Sequence, residues 1–338
     1  MKKIMFLLVI VFIASAVSGL HAQTNSHFHI VKTFHILSGG GWDYLAVGPD
    51  NNRLYVSHGT QVNILDKTTG DSIGVIENTT GVHGIAFDKA NGRGYTSNGR
   101  LNNVTVFDLA TNKVITQIAT GENPDAILFE PFSKKIITCN GRSKDLSVID
   151  PGQNKVIATI PLGGKPETAV SNGSGKLFVN VEDKNEIVEV DVKTFTVKSH
   201  WPVTPGEEPT GLAIDVKTNR LFAGCGNKFL IVLNAATGAI ADKLTIGDGC
   251  DGVGFDINTR NIFTSNGEGT LSVFHEKANG NIEPVATVTT QKGARTIAID
   301  DKTNLVYLPT AEFEAQSNPP QGRPKMIPGT FHVLVIGK

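Results

Sequence analysis

Short apolar runs separated by polar turns fill the chain from about residue 27 to its end. Between residues 83 and 118 the runs read HGIAF, RGYTS, VTVFD and KVITQI, with Gly, Asn, Asp and Thr between them. Runs of this length, rich in β-branched and aromatic side chains and bounded by turn residues, are typical of strands. No apolar period of 3.6 residues accompanies them, so the pattern predicts an all-β protein.

The same four-run unit recurs along the chain. When the residue at the end of each third run is used as an anchor, the intervals are 42, 42, 41, 43, 41 and 62 residues. The anchors are Asp66, Asp108, Asp150, Asp191, Asn234, His275 and Gly337. Four strands per unit, in seven units, predict a seven-bladed β-propeller of four-stranded blades.

The two ends of the repeat array complement each other. The last unit stops at Lys338, after its third run, and therefore lacks a fourth strand. The segment His27–Ile36 (HFHIVKTFHI) is a strand without a unit of its own. If it forms the outer strand of the last blade, the ring closes and no long strand edge is left open to aggregation. We therefore predict one propeller domain over residues 23–338.

The first 22 residues have the three-part layout of a secretory signal peptide. Lys2 and Lys3 precede an apolar run from Ile4 to Ile13, and small residues lead to a cleavage site after Ala22. We predict a mature protein that is periplasmic or secreted. No other segment approaches eighteen apolar residues, so no membrane span is expected.

Composition and charge narrow the range of expected binding partners and cofactors. The 31 Lys and Arg against 32 Asp and Glu give a formal net charge of −1, with no basic run, so neither nucleic acid nor an anionic membrane surface is an expected partner. The three cysteines form no C-x-x-C motif, which argues against a c-type haem or a zinc ribbon. A disulfide between Cys225 and Cys250 remains open, and we expect a monomer.

The repeat units resemble those of the YVTN-repeat, YncE-like propellers of the WD40-like repeat superfamily. VIDPGQNKVIATIPLGGKPE and RLYVSHGTQVNILDKTTG carry the resemblance, which extends over essentially all of residues 23–338. It implies the propeller fold and an exported location. It implies no reaction, since members of the family mostly lack an assigned one. The usual Asp is missing at Asn234, His275 and Gly337, and we expect those turns to be held differently.

One face of the propeller should carry the variable loops, where binding sites usually lie. We call the position just before the innermost strand of each blade the rim position. The rim positions are Asp43, His83, Asp125, Glu167, Thr210, Asp251 and Arg295. Weaker candidates in the outer loops are His58, Asn98, Arg100, Asn140 and Arg142. A proline-rich insertion in the last blade, residues 309–331, adds Glu312 and Arg323 beside the channel mouth.

Two roles are open for the rim. Its side chains could tie neighbouring blades together through hydrogen bonds to backbone amides, or they could bind a ligand. Clustered carboxylates suit a hard divalent cation such as Ca²⁺, which takes oxygen ligands. They also raise one another's pKa, which suits acid–base chemistry.

Three functional hypotheses follow. The first is an exported binding or scaffold protein that presents its variable face and polar rim to a small molecule, a glycan, a peptide or a partner protein. The second is a metal-assisted hydrolase of the lactonase type, in which rim carboxylates hold the cation. The third is an electron-transfer accessory, because some quinoprotein subunits resemble this repeat, although no motif supports a redox centre.

Overall fold

Seven four-stranded antiparallel sheets form a closed ring in the computed structural model, which describes residues 27–49, 52–315 and 325–338. The innermost strands of neighbouring sheets contact one another all the way round, and the last blade contacts the first. The predicted all-β seven-bladed propeller is thereby confirmed. The predicted signal peptide, residues 1–22, lies outside the described residues.

The strands follow the chain blade by blade. The strand that precedes blade 1 is β1 (His29–His35). Blade 1 comprises β2 (Trp42–Val47), β3 (Arg53–His58), β4 (Gln61–Asp66) and β5 (Ser72–Ile76). Blade 2 comprises β6 (Val82–Asp88), β7 (Arg93–Asn98), β8 (Asn103–Asp108) and β9 (Val114–Ala119). Blade 3 comprises β10 (Pro124–Glu130), β11 (Lys135–Asn140), β12 (Asp145–Asp150) and β13 (Lys155–Pro161). Blade 4 comprises β14 (Pro166–Ser171), β15 (Lys176–Val181), β16 (Glu186–Asp191) and β17 (Thr196–Pro202).

The remaining blades follow the same plan. Blade 5 comprises β18 (Pro209–Asp215), β19 (Arg220–Cys225), β20 (Phe229–Asn234) and β21 (Ile240–Thr245). Blade 6 comprises β22 (Cys250–Asp256), β23 (Asn261–Asn266), β24 (Thr270–Glu276) and β25 (Ile282–Thr289). Blade 7 comprises β26 (Ala298–Asp300), β27 (Leu305–Thr310) and β28 (His332–Gly337), with β1 as its fourth strand. Short 3-10 helices cover Lys89–Asn91, Gly99–Leu101 and Glu182–Lys184.

Strand β1 closes the ring. It pairs antiparallel with β28, with His29 opposite Gly337 and His35 opposite His332. Phe34 is buried, and its ring lies 6.5 Å from the Tyr307 ring of the same blade. The N-terminal strand therefore supplies both the missing ladder of hydrogen bonds and part of the core of blade 7.

The hydrophobic core lies between blades. Seven clusters of buried apolar side chains each join two neighbouring blades, including the pair formed by blades 7 and 1. Successive side chains of a strand point to opposite faces of its sheet, so one strand serves two clusters. In the second strand of six blades, the residue that faces the following blade is a fully buried aromatic: Tyr55, Tyr95, Phe178, Phe222, Phe263 and Tyr307.

Five anchor residues of the repeat hold the turns that follow them: Asp66, Asp108, Asp150, Asp191 and Asn234. The carboxylate of Asp66 accepts hydrogen bonds from the backbone N–H groups of Thr68 (2.8 Å) and Thr69 (3.0 Å). Asn234 makes the same pair of bonds with its amide oxygen, to Ala236 (2.8 Å) and Thr237 (3.2 Å). The expectation that this turn is held differently is therefore wrong, because an amide oxygen accepts as a carboxylate oxygen does.

Ionic groups on the face of these turns are paired. Arg260 lies 2.9 Å from Asp215 and 2.6 Å from Glu276, and Arg220 lies 2.9 Å from Glu276. Lys67 of blade 1 bonds to Asp300 of blade 7 at 2.7 Å. These carboxylates are buried, and each is satisfied by a cation.

Candidate functional site

A repeated β-bulge presents the rim side chains. In blades 1 to 6 the innermost strand carries one extra residue relative to its neighbour near the channel mouth; in blade 1, Trp42 pairs with His58 and Leu45 pairs with Val56. Bulges bend a strand and redirect the side chains within them. The six rim residues from Asp43 to Asp251 are each the second residue of that strand rather than the residue before it, whereas Arg295 precedes β26.

Three rim side chains from blades 1, 2 and 3 meet. His83 Nδ1 lies 2.6 Å from Asp43 Oδ2 and 3.7 Å from Asp125 Oδ1. All three side chains are largely buried, with exposed fractions of 13% for Asp43, 27% for His83 and 14% for Asp125. The Oδ1 atom of Asp125 is buried and makes no hydrogen bond within the described residues.

An arginine extends this cluster round the mouth. Arg295 of blade 7 forms an ion pair with Asp251 of blade 6, and its Nη1 atom lies 3.5 Å from Asp43 Oδ1. A chain of alternating charge therefore runs from Asp251 through Arg295, Asp43 and His83 to Asp125.

Blade 4 contributes another rim acid, Glu167, which lies beside a lysine. Lys165 Nζ lies 2.6 Å from Glu167 Oε1 and also forms an ion pair with Glu182. Glu167 is buried, whereas its lysine partner is partly exposed. The rim carboxylate of Glu167 thus faces Asp125 of the neighbouring blade on one side and a cation on the other.

Tyr44 crosses the channel below the rim. It belongs to blade 1, but its ring packs against the cluster of buried side chains between blades 3 and 4, and its hydroxyl interacts with the side chain of Thr168. Burial and the charges of Asp125, Asp43 and Glu167 raise the pKa of this hydroxyl well above its ordinary value. A neutral phenol therefore lies near the acidic side chains of the mouth.

The rim carboxyls differ in pKa. Burial and the charge of Asp43 raise the pKa of Asp125 to about 6, and burial with the charge of Asp125 raises the pKa of Glu167 to about 8. Burial also opposes ionisation of Asp43, but the hydrogen bond from His83 and the charge of Arg295 outweigh it and lower the pKa. Burial opposes the charged form of His83, yet the hydrogen bond to Asp43 and the charge of Asp125 raise its pKa to about 8.

Side chains next to the rim residues make the bonds that tie blades together. Ser97 donates to the backbone carbonyl of Asp125, and Ser265 donates to that of Arg295 at 2.6 Å. Thr296 of blade 7 donates to the carbonyl of Asp43 at 2.6 Å. Among the rim residues, Thr210 has this role, since its hydroxyl donates to the carbonyl of Cys250 in blade 6 at 2.6 Å. The rim acids Asp43 and Asp251 therefore join neighbouring blades through ion pairs with other rim side chains rather than through bonds to the backbone.

The outer-loop candidates are not brought together. The His58 ring is buried, with Nδ1 2.8 Å from Ser38 Oγ and Nε2 3.0 Å from the Gly40 carbonyl. Asn98 and Asn140 are buried, and their amides bond to side chains of their own blades. Of the other four candidates, Arg100, Arg142 and Glu312 are exposed, and Arg323 lies outside the described residues.

The arms of the insertion form a pocket with the rim. Phe313 and Met326 form an isolated β-bridge, and the Phe313 ring lies 5.9 Å from the ring of Trp42. Together with Lys292 and Arg295, these side chains line a pocket of about 660 Å³ that also touches Asp251. Its lining combines two aromatic rings with two cations and one acid.

Sequence reasoning missed several of these residues. Trp42 and Tyr44 flank the rim residue Asp43 in the chain, and Lys292 lies three residues before Arg295. The other blades carry different residue types at the positions of Trp42 and Tyr44, so the repeat itself gave no signal for them.

The three cysteines are neither paired in a disulfide nor activated as nucleophiles. All three are free and buried, so the structure has no disulfide between Cys225 and Cys250. Burial raises the pKa of each thiol, which disfavours the nucleophilic thiolate.

Comparisons with known proteins support the fold and identify no family. No family model matches the sequence, and no curated protein matches it. Among solved structures, Kuenenia stuttgartiensis hydrazine synthase superposes with a TM-score of 0.71 at 16% identity, over 81% of this chain and 94% of that chain. At this identity the similarity concerns the propeller alone, and a propeller supports binding and scaffold roles without selecting one. Within the described residues, no helix has the length and apolarity required to cross a membrane.

Proposed function

We propose that this protein is a binding protein whose propeller captures a small organic anion at the mouth of its channel. The observation that carries the proposal is one pocket whose lining combines the apolar side chains of Trp42, Phe313 and Met326 with the cations Lys292 and Arg295. Its volume of about 660 Å³ falls in the range of small-molecule sites, roughly 300–1,000 Å³.

The pocket selects for a carboxylate attached to an apolar or aromatic body. Arg295 is already shared between Asp251 and Asp43, whereas the Lys292 ammonium is exposed and has no acidic partner in the described part of the chain. A ligand carboxylate therefore adds the missing counter-charge. The Trp42 and Phe313 rings offer flat apolar surface, which is the usual wall of such sites.

A matched pair of ligands tests this proposal. Isothermal titration of the mature protein should show that indole-3-acetate binds at least about tenfold more tightly than the neutral indole-3-acetamide, since a charge-assisted hydrogen bond contributes roughly 1.5–3 kcal/mol. Lys292→Ala should remove most of that difference. Lys228→Ala, in an exposed ion pair with Asp248 on another blade, is the control. Equal binding of acid and amide, or an equal loss in both variants, would contradict the proposal.

We further propose that the chain belongs to the YVTN-repeat, YncE-like propellers and that it is exported. The repeat units quoted above and the layout of residues 1–22 support this assignment. Export should leave a protein that begins at Gln23. N-terminal sequencing of the protein from the periplasmic or secreted fraction of expressing cells checks this; a chain that retains Met1 in that fraction counts against it.

A lactonase-type hydrolase is the second candidate function. The cluster of Asp43, His83 and Asp125 favours it, because such side chains can hold a cation that polarises a carbonyl. Burial and the charge of Asp125 raise the pKa of Glu167 to about 8, so this carboxyl is protonated at neutral pH. In this candidate function it supplies a proton to the leaving alkoxide. The first requirement of this candidate is a bound cation at the rim.

A further inference from the structure

We propose that Asp43, His83 and Asp125 form a binding site for one divalent transition-metal ion of the Zn²⁺ or Mn²⁺ type. This site goes beyond the organic-anion pocket and does not depend on it. The three side chains come from three consecutive blades, and their ligand atoms all lie within 4.8 Å of one another.

The spacing of the ligand atoms fits one small ion. Ligands of a tetrahedral site with bonds of about 2.0–2.1 Å lie roughly 3.3 Å apart. The distances from His83 Nδ1 to Asp43 and Asp125, 2.6 and 3.7 Å, lie on either side of that value. The shorter one is a hydrogen bond, so these two atoms must separate by about 0.7 Å to admit the ion. Binding would displace the proton of this hydrogen bond, as metal binding to an imidazole generally does.

An unsatisfied atom points independently to a ligand. Asp125 Oδ1 is buried without a hydrogen-bond partner in the described residues, although leaving a buried acceptor unpaired costs roughly 1–3 kcal/mol. This oxygen is the atom that faces His83 Nδ1. A cation between Asp125 Oδ1 and His83 Nδ1 would give this oxygen a partner, which the Asp43–His83 ion pair does not.

The surroundings hold the ligands in place. The backbone N–H of Asp43 donates to Ser57 Oγ at 3.0 Å, and its carbonyl accepts from Thr296. Ser97 fixes the backbone of Asp125, and Arg295 lies beside the Asp43 oxygen that faces away from His83. Outer contacts of this kind orient metal ligands. The 27% exposure of His83 leaves access for water as a further ligand.

The donor set selects the class of metal. One imidazole nitrogen with two carboxylates suits Zn²⁺ or Mn²⁺, since imidazole is a preferred ligand of the transition metals. Ca²⁺ usually takes six to eight oxygen ligands, more than this cluster provides. The structure thus favours a transition metal over the Ca²⁺ that the clustered carboxylates first suggested.

Direct metal binding tests the site. Tag-free mature protein is stripped with a chelator, dialysed against Zn²⁺, Mn²⁺ or Ca²⁺, and analysed for bound metal. We expect one equivalent of Zn²⁺ or Mn²⁺, with affinity at least about 100-fold above that for Ca²⁺. His83→Ala and Asp125→Asn should each weaken binding by at least about 100-fold, while melting curves confirm that both fold. If His83→Ala does not fold, His83→Gln replaces it. The Co²⁺ form should show visible absorption bands that His83→Ala or His83→Gln loses.

Two controls separate this site from general binding to exposed groups. His200→Ala removes a histidine that lies 2.8 Å from Glu186 on an outer strand, and Glu268→Gln removes an exposed acid outside the cluster. Both should keep one equivalent and stay within about threefold of the unmodified affinity. The proposal is overturned if less than a tenth of an equivalent binds, if the His83 variant binds as before, or if His200→Ala loses the metal. Carboxylate binding at Lys292 can succeed or fail without affecting this result.

Discussion

A chain that begins at Leu37 is expected to lose the soluble monomeric fold, whereas a chain that begins at His27 should keep it. The shorter chain lacks β1, so the outer edge of β28 is left without its partner strand. An unpaired edge of this length is a template for aggregation. Size-exclusion chromatography and thermal melting of the two proteins measure the difference. A soluble monomer that begins at Leu37 and melts at the same temperature would contradict ring closure by β1.

A single substitution isolates the packing part of this effect. Phe34→Ala should lower the free energy of unfolding by about 3–5 kcal/mol, because the Phe34 ring is buried against Tyr307 at the closure. Val31→Ala is the matched control, since this side chain of the same strand is 37% exposed and should cost less than about 1 kcal/mol. Urea unfolding at constant pH gives both values. Equal losses would show that the strand, rather than its buried face, stabilises the blade.

The metal-free protein is expected to lose about 2–4 kcal/mol of stability between pH 5 and pH 9. Asp125 and Glu167 have pKa values raised to about 6 and 8 in the folded protein, so they contribute stability at low pH that is lost as the pH rises through those values. The raised pKa of His83 acts in the same direction: its contribution is present below 6.5 and lost as the pH rises through about 8. Asp43, whose pKa is lowered, has the opposite sign but acts only in acid, below 3.8.

One variant isolates the largest single part of this slope. Glu167→Gln keeps the shape of the protonated acid and removes its ionisation, so the loss between pH 5 and pH 8 should fall by about half. Glu268→Gln, an exposed acid on the same face, should leave the slope unchanged. Urea unfolding at several pH values in the presence of a chelator provides the measurement. A slope that is the same in the Glu167 variant would show that the rim acids are not coupled as described.

The fold was accessible from the sequence because the repeat is explicit. The anchors fall at strand ends, as with Asp66 at the end of β4 and Asp150 at the end of β12. A single exposed strand, His27–Ile36, was available for the incomplete last unit, and β1 lies within it. Strand period and turn chemistry are local properties, and a ring of equal units leaves little freedom in how they assemble.

The site was accessible only in part. The repeat places Asp43, His83 and Asp125 at equivalent points of the mouth, but equivalence does not decide which side chains meet. That depends on the bulge in each innermost strand and on distances of a few ångströms across blade boundaries. His58 had the appearance of an outer-loop ligand because nothing in its sequence context shows that Phe331 stacks on its ring at 4.0 Å.

Tyr44 links two blades that are not neighbours in the ring. Its ring belongs to blade 1 but packs against the side chains between blades 3 and 4, and its hydroxyl interacts with Thr168 of blade 4. Trp42, two residues earlier in the same strand, lines the pocket beside Phe313 and Met326. A ligand that displaces Trp42 is therefore expected to act on the opposite side of the mouth through one short strand.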